Sequence, residues 1–289
     1  MKSIQAGIIK FVFILSLGLL FSSVQAQEEK QELVFGIHSY LPATDLLERF
    51  SPLIEYLEKK IAADIHIKVS NSYQDHIDNL EHGLYDFAYI GPASFITLTM
   101  NNRDYPLLGR LSFFGKDTFR GAIIIRQDSQ IKSLQDFKDN TFAFGDPEST
   151  LSSKVPKRML EDAGVSIADL KHHSHLKNHH NVALAVLMGK YDGGGVKQEV
   201  FNKYQSKGLK VLQWTQDFPT HIFVASRSMN PVLVEQIKKL LYGIKHEANA
   251  DKILQSIKKG TTAIIPAQIE EYEQLRQYIT PKSPVQQNY

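Results

Sequence analysis

The stretch Phe144-Gly145-Asp146-Pro147-Glu148-Ser149-Thr150-Leu151-Ser152-Ser153-Lys154-Val155-Pro156 holds four hydroxyl side chains in five positions. Ser149, Thr150, Ser152 and Ser153 can all donate to acceptor oxygens. The first turn of a helix adds unpaired backbone N–H groups and the positive end of the helix dipole. Pro156 lacks an N–H and is tolerated only in a first turn, so the helix is expected to begin near Ser152 or Ser153 and run to Ala163. That leaves Ser149 and Thr150 in the preceding turn. The chemistry suggested is capture of a small oxyanion; the plainer reading is a serine helix cap.

A second constellation, Lys171-His172-His173-Ser174-His175-Leu176-Lys177-Asn178-His179-His180, carries five of the eleven histidines. His175 and His179 stand four apart and would share a metal if they lay on one helix. Without cysteine or a nearby third carboxylate ligand, a solvated histidine-rich loop is the preferred reading, with one histidine lining a pocket as a further option. No metal or other cofactor is expected. Nucleotide chemistry has no support, because neither G-x-x-x-x-G-K-S/T nor G-x-G-x-x-G is present. No G-x-S-x-G elbow marks a hydrolase, so the chain reads as a binding protein rather than an enzyme.

The frame that must position these groups has 289 residues, 43% hydrophobic and 22% charged, enough for one large or two medium domains. Lys2 and Lys10, the apolar run Phe11 to Phe21 and Val24-Gln25-Ala26 read as a cleaved secretory signal peptide over residues 1–26. Its removal leaves 31 basic against 31 acidic residues. A neutral chain argues against nucleic-acid binding. With no cysteine there is no lipid-acceptor thiol after the signal, so a free periplasmic protein, not membrane-embedded, is expected.

Strands are expected at 33–37, 65–69, 86–90, 121–126, 141–144, 191–194, 209–214 and 221–225. Helices are expected to open at Ser51-Pro52 and near Pro92, and to span 72–82, 133–137, 153–163, 181–188, 231–242 and 267–278. The alternation implies an α/β fold of parallel sheets. Gly83-Leu84-Tyr85-Asp86 and Gly189-Lys190-Tyr191-Asp192 each join a helix to a strand, 106 positions apart, which suggests two similar lobes. Tyr40, Tyr73 and Gly91-Pro92-Ala93-Ser94 follow strands of the first half, where such sheets place ligand-contacting loops.

From Leu33 to Leu241 the chain resembles the periplasmic substrate-binding proteins of phosphonate, phosphite and phosphate ABC transporters. The resemblance rests on Gly145 to Thr150 with Pro156, on His179 to Val186, and on Asp86 to Ser94. It implies a type II periplasmic binding protein: two α/β lobes, each a mostly parallel sheet flanked by helices, closing on ligand by a hinge. Lobe 1 is expected to comprise residues 27–119 with 220–289, and lobe 2 residues 120–219. The resemblance implies that the Ser149-Thr150 turn holds the oxyanion and that His179 assists. Departures are Leu151 where relatives offer a hydroxyl, Ile90 with Tyr89 where they present a tyrosine, and Thr220-His221 where an acid is expected. Glu199 is then the remaining carboxylate for an amine. The expected ligand residues are Ser149, Thr150, Ser152, His179, Tyr40, Tyr73, Ser94 and Glu199. The expected partner is an ABC transporter permease or, alternatively, the periplasmic sensor domain of a histidine kinase.

Overall fold

A computed structural model describes residues 30–101 and 104–280; the expected signal segment lies outside the described residues. Two sheets, both within one compact unit that begins at Glu32, carry the fold. The chain enters through β1 (Gln31–Ile37), α1 (Ala43–Ile61), β2 (Ala63–Val69), α2 (Tyr73–Glu81), β3 (Phe87–Ile90), α3 (Pro92–Leu98) and β4 (Leu107–Phe113). It then crosses through β5 (Thr118–Phe119) into β6 (Gly121–Arg126), β7 (Thr141–Phe144), α4 (Val155–Asp162), β8 (His172–His175) and α5 (His179–Leu187). Next come β9 (Gly193–Lys197), α6 (Gln198–Tyr204) and β10 (Leu209–Trp214), and β11 (Phe218–Pro219) leads back. The chain ends on β12 (Ile222–Ala225), α7 (Pro231–Gly243), α8 (Ala250–Ile257), β13 (Thr261–Ile265) and α9 (Arg276–Ile279).

The first sheet has order β13-β4-β12-β3-β1-β2 and the second β10-β6-β9-β7-β8. The strand sense is mixed rather than mostly parallel. β1/β3, β7/β9 and β7/β8 pair in parallel, whereas β3/β12, β12/β4, β4/β13, β6/β9 and β6/β10 are antiparallel. The reason is topological. Strands joined by helical crossovers run parallel, while β12 and β6 enter their sheets from the crossing segments and run the opposite way. Those segments pair as an antiparallel ribbon, Phe119 opposite Phe218 and Thr118 opposite Pro219.

The two echoed tetrapeptides occupy matching places. Gly83 and Gly189 both take positive φ, 71° and 70°, after α2 and α5. In each case the aspartate that follows caps the neighbouring parallel strand. Asp86 Oδ2 accepts from the Val34 N–H at 2.7 Å, and Asp192 Oδ2 from the Thr141 N–H at 2.9 Å. The carboxylate satisfies a strand-start donor that the ladder leaves open.

Several local expectations are corrected. Ser51-Pro52 lies inside α1, which starts at Ala43; the acceptor left idle by the missing Pro52 N–H is the carbonyl of exposed Glu48, which water can satisfy. The histidine-rich segment is not a loop: His172, His173 and His175 form edge strand β8 and His179 begins α5. His175 and His179 therefore do not share a helix. Residues 133–137 form only a 3₁₀ turn at Leu134–Phe137, and 269–275 are 3₁₀ before α9. Strand β9 lies two residues later than expected, and β4, β8, β13, α6 and α8 were not anticipated.

The shift of β9 has a packing cause. Its three glycines are buried beneath helices: a Cβ on Gly193 would stand 2.3 Å from the Phe137 ring, on Gly194 2.6 Å from Val182 Cγ1 and 2.8 Å from the Ala143 carbonyl, and on Gly195 2.5 Å from Pro156. Only a strand without side chains lets α5 and the head of α4 sit this close to the sheet. We expect Gly194→Val to destabilise the fold by about 1–3 kcal/mol through overpacking. The check is the urea unfolding midpoint, and an unchanged midpoint would refute the close-approach account.

Candidate functional site

The helix that begins at the hydroxyl-rich segment opens with a π turn, Thr150–Lys154, that runs directly into α4. The Ser153 and Lys154 N–H groups both donate to the Ser149 carbonyl, at 3.2 and 3.0 Å. The N–H groups of Thr150, Leu151 and Ser152 precede the first such bond and have no carbonyl partner within the turn. The helical segment thus starts two to three residues before the expected Ser152–Ser153 boundary, with Pro156 still inside the tolerated region. Gly145 is required beside it: a Cβ there would stand 2.0 Å from Ser152 Oγ, and the Gly145 N–H donates to the Ser152 carbonyl at 2.9 Å.

This turn lines a cavity of about 270 Å³ together with Tyr40, Tyr73, Tyr89, Gly91, His179, Lys197, Glu199, His221 and Lys258. Six of the eight expected residues meet there: Ser149, Thr150, His179, Tyr40, Tyr73 and Glu199. Ser152 and Ser94 do not line it. Ser152 is fully buried and donates to Ser149 Oγ at 2.8 Å, so it orients the hydroxyl in front of it. Ser94 is buried in the first turn of α3, its hydroxyl donating to the Glu148 carbonyl at 3.4 Å.

Contacts between the two sheet groups close around this cavity. The Ala93 N–H donates to Thr150 Oγ1 at 2.9 Å, Thr97 Oγ1 donates to Glu148 Oε2 at 3.2 Å, and Lys258 pairs with Glu199. Asp146 accepts from the backbone N–H groups of Glu148 and Tyr73. Thr150 Oγ1 thus accepts from Ala93, and its O–H makes no hydrogen bond among the described residues.

The whole site falls inside a recognised sequence family. Residues 35–272 match the family described as ABC transporter, phosphonate, periplasmic substrate-binding protein. The chain belongs to this family. It is 25% identical over 238 residues to the phosphonates-binding periplasmic protein of Escherichia coli K12, covering 78% of this chain and 70% of that one. Among solved structures, PhnD1 of Prochlorococcus marinus in complex with methylphosphonate is similar with TM-score 0.76 and 16% identity, covering 86% of this chain and 97% of that one. A binding-protein component of a Pseudomonas aeruginosa ABC phosphonate transporter gives TM-score 0.76 and 18% identity, with 86% of each chain covered. The aliphatic sulphonate binding protein SsuA of Escherichia coli shares the fold at TM-score 0.58 and 17% identity, covering 86% of this chain and 85% of that one. The protein is therefore a periplasmic substrate-binding component of a transport system, not an enzyme, with the two-lobed α/β fold of type II binding proteins. No helix among the described residues is long and apolar enough to cross a membrane.

Within this family frame the electrostatics of the site follow from burial. His179 Nδ1 accepts the Lys197 N–H at 3.1 Å. Burial, reinforced by the Lys197 ammonium, pushes the His179 imidazole well below its ordinary value. A neutral ring whose Nδ1 is an acceptor carries its proton on Nε2, so His179 offers a neutral N–H donor rather than a positive charge. Burial pushes the Lys197 ammonium down to about 8; Glu199 opposes this, and Lys258 and Arg49 add to it. Partial burial would raise the Glu199 carboxyl, but Lys258 and Lys197 outweigh it and hold it below the ordinary range. Burial raises the Tyr73 and Tyr40 phenols, which stay protonated donors.

Behind the cavity stands a wall of rings. His38, Tyr89 and His221 form a triangle of near-parallel rings with centroids 5.3, 5.2 and 6.2 Å apart, and Tyr73 meets His38 edge-on at 4.4 Å. Lys197, Lys258, Arg49, Tyr89 and His221 were not anticipated as lining residues. Tyr89 and His221 fall beside positions where the resemblance expects ligand residues, whereas Lys197, Lys258 and Arg49 carry no sequence signal. Among the described residues no three His, Asp or Glu side chains are arranged to hold a metal ion.

The histidine wall makes stability acid-sensitive. Burial pushes His38 down to about 4, against the opposing bond to the Tyr89 carbonyl. Unfolded histidine takes its proton near 6.5, so between these values the unfolded state binds more protons. Stability is then fully present above about pH 6.5 and falls as pH drops toward 4, by on the order of 3 kcal/mol from His38 alone. Urea unfolding between pH 7 and 4 should show this loss. His38→Asn should make its slope shallower by about one proton, and an unaltered slope would remove His38 from the account.

Proposed function

We propose that this protein captures a small phosphorus oxyanion between its two lobes and delivers it to an ABC transporter. One observation carries the reading: the Ser149-Thr150 turn, with its unpaired N–H groups, lines a small cavity together with Lys197 and the neutral His179 donor. Its volume, about 270 Å³, is at or below the small end of the usual ligand-site range, which suits a compact solute and not a nucleotide. In this reading Ser149, Thr150, Tyr40, Tyr73 and His179 donate to the anion, while Ser152 and Ser94 hold the donors in place. Leu151 and Ile90 are both buried in the apolar cluster between the sheets, so their bulk is spent mainly on packing.

The same reading takes residues 27–119 with 220–289 as one lobe and 120–219 as the other, hinged at the Thr118–Phe119 and Phe218–Pro219 ribbon. Residues 1–26 would direct export and be removed. Ligand contacts made to both lobes at once favour the closed arrangement, in which the shape presented to the permease differs from the open one.

A thermal-shift panel of phosphate, phosphite, methylphosphonate and sulfate, followed by calorimetry, tests the assignment, because a native-state ligand raises the melting temperature. Ser149→Ala and Thr150→Val should each weaken the best phosphorus ligand about 10- to 100-fold, the size expected for one charge-assisted hydrogen bond. Absence of a shift with every phosphorus oxyanion would overturn the proposal.

Lys197 adds a pH signature. Above pH 8 it loses its proton in the free protein, so affinity for an anion should decline as pH rises from 8 to 10. In Lys197→Met that decline should be absent; if the variant and the parent fall in parallel, Lys197 does not contact the anion.

A further inference from the structure

Four cationic side chains line the cavity, Arg49, Lys197, Lys258 and Lys259, against one carboxylate, Glu199. Glu199 is already engaged: it pairs with Lys258 and lies 3.9 Å from Lys197 Nζ. Arg49 and Lys259, by contrast, make no ion pair or hydrogen bond among the described residues. The lining therefore carries a formal excess of three positive charges, one more than a doubly ionised phosphonate or phosphate group neutralises.

The lining also holds two kinds of donor. Ser149, Thr150 and Tyr73 bring neutral hydroxyls. Among the cations, Lys197 and Lys258 flank the same carboxylate, Glu199, and Arg49 lines the same cavity. Lys258 Nζ also sits 3.7 Å over the Phe113 ring, and Lys197 Nζ 5.7 Å from the Tyr40 ring centroid.

We propose, building on the oxyanion reading, that the preferred ligand is two-headed: a phosphorus oxyanion seated on the Ser149-Thr150 turn and a second acidic group, such as a carboxylate, held by Arg49, Lys197 and Lys258. A ligand with a cationic tail is excluded by the same arrangement, because Glu199 is occupied and the surrounding field is positive. The guanidinium of Arg49 can grip a carboxylate with two parallel hydrogen bonds.

Calorimetry at pH 7 with phosphonoacetate, ethylphosphonate and 2-aminoethylphosphonate separates the possibilities. Phosphonoacetate should bind at least tenfold tighter than ethylphosphonate, and 2-aminoethylphosphonate more weakly than ethylphosphonate. Arg49→Gln should bring the ratio of phosphonoacetate to ethylphosphonate affinity toward one. Lys258→Gln should do the same and, by freeing Glu199, improve 2-aminoethylphosphonate relative to ethylphosphonate. Ethylphosphonate binding as tightly as phosphonoacetate, or 2-aminoethylphosphonate binding tightest, would overturn the two-headed ligand and leave the oxyanion assignment standing. Failure of all three, and of methylphosphonate and phosphate, would overturn both.

Discussion

The head of one helix fixes most of what this molecule can do. The π turn before α4 leaves three consecutive N–H groups with no carbonyl to reach, and such donors are costly unless something accepts from them. Everything adjacent is arranged around that demand. Gly145 has no side chain, so the preceding strand can approach Ser152; Gly195 has none, so Pro156 can lie on β9; Asp146 folds back to accept from Glu148. Ser152, shut away from the cavity, aims its proton at Ser149. A π turn widens the helix at its start, and such turns often occur at functional sites.

Positive charge is handled in two ways in the cavity. Where the turn supplies donors, the side chains are hydroxyls, phenols and a neutral imidazole, which hydrogen-bond an anion without the desolvation cost of a buried cation. Where lysine and arginine enter, one carboxylate sits among them, and Glu199 keeps the cluster from being unrelieved repulsion. The histidines follow the same logic. His38, His179 and His221 are all held neutral by burial, so the wall behind the ligand adds donors and ring surfaces without adding charge.

Much of this was legible from residue order, and the failures have physical causes. The Ser149-Thr150 turn, the Pro156 position and the α/β alternation could be read because turn chemistry and periodicity are local. The echoed Gly-x-Tyr-Asp segments could be seen, and their capping role emerges only when Val34 and Thr141 are found beside them. The mixed strand sense could not be read, because it depends on which strands enter through the crossing ribbon. The histidine run looked like a loop because its polarity hides strand alternation at a sheet edge. The basic part of the cavity was invisible: Arg49, Lys197 and Lys258 are 61 to 209 positions apart in sequence and look like any surface cations.

Leu151 shows how one residue can serve two purposes. It stands in the turn that faces the cavity, yet it is almost wholly buried, and its Cβ would lie 3.1 Å from a side chain at Gly121. It belongs to one apolar cluster with Val155 on its own helix, Phe95 and Ile222 of the first sheet group and Phe218 of the crossing ribbon. A hydroxyl at this position would add one more donor for an anion. Leucine instead adds apolar contact across the two sheet groups, worth roughly 1.5–3 kcal/mol when such a side chain is fully buried. The two sheet groups are thus held together by apolar packing as well as by the hydrogen bonds of Thr150 and Glu148.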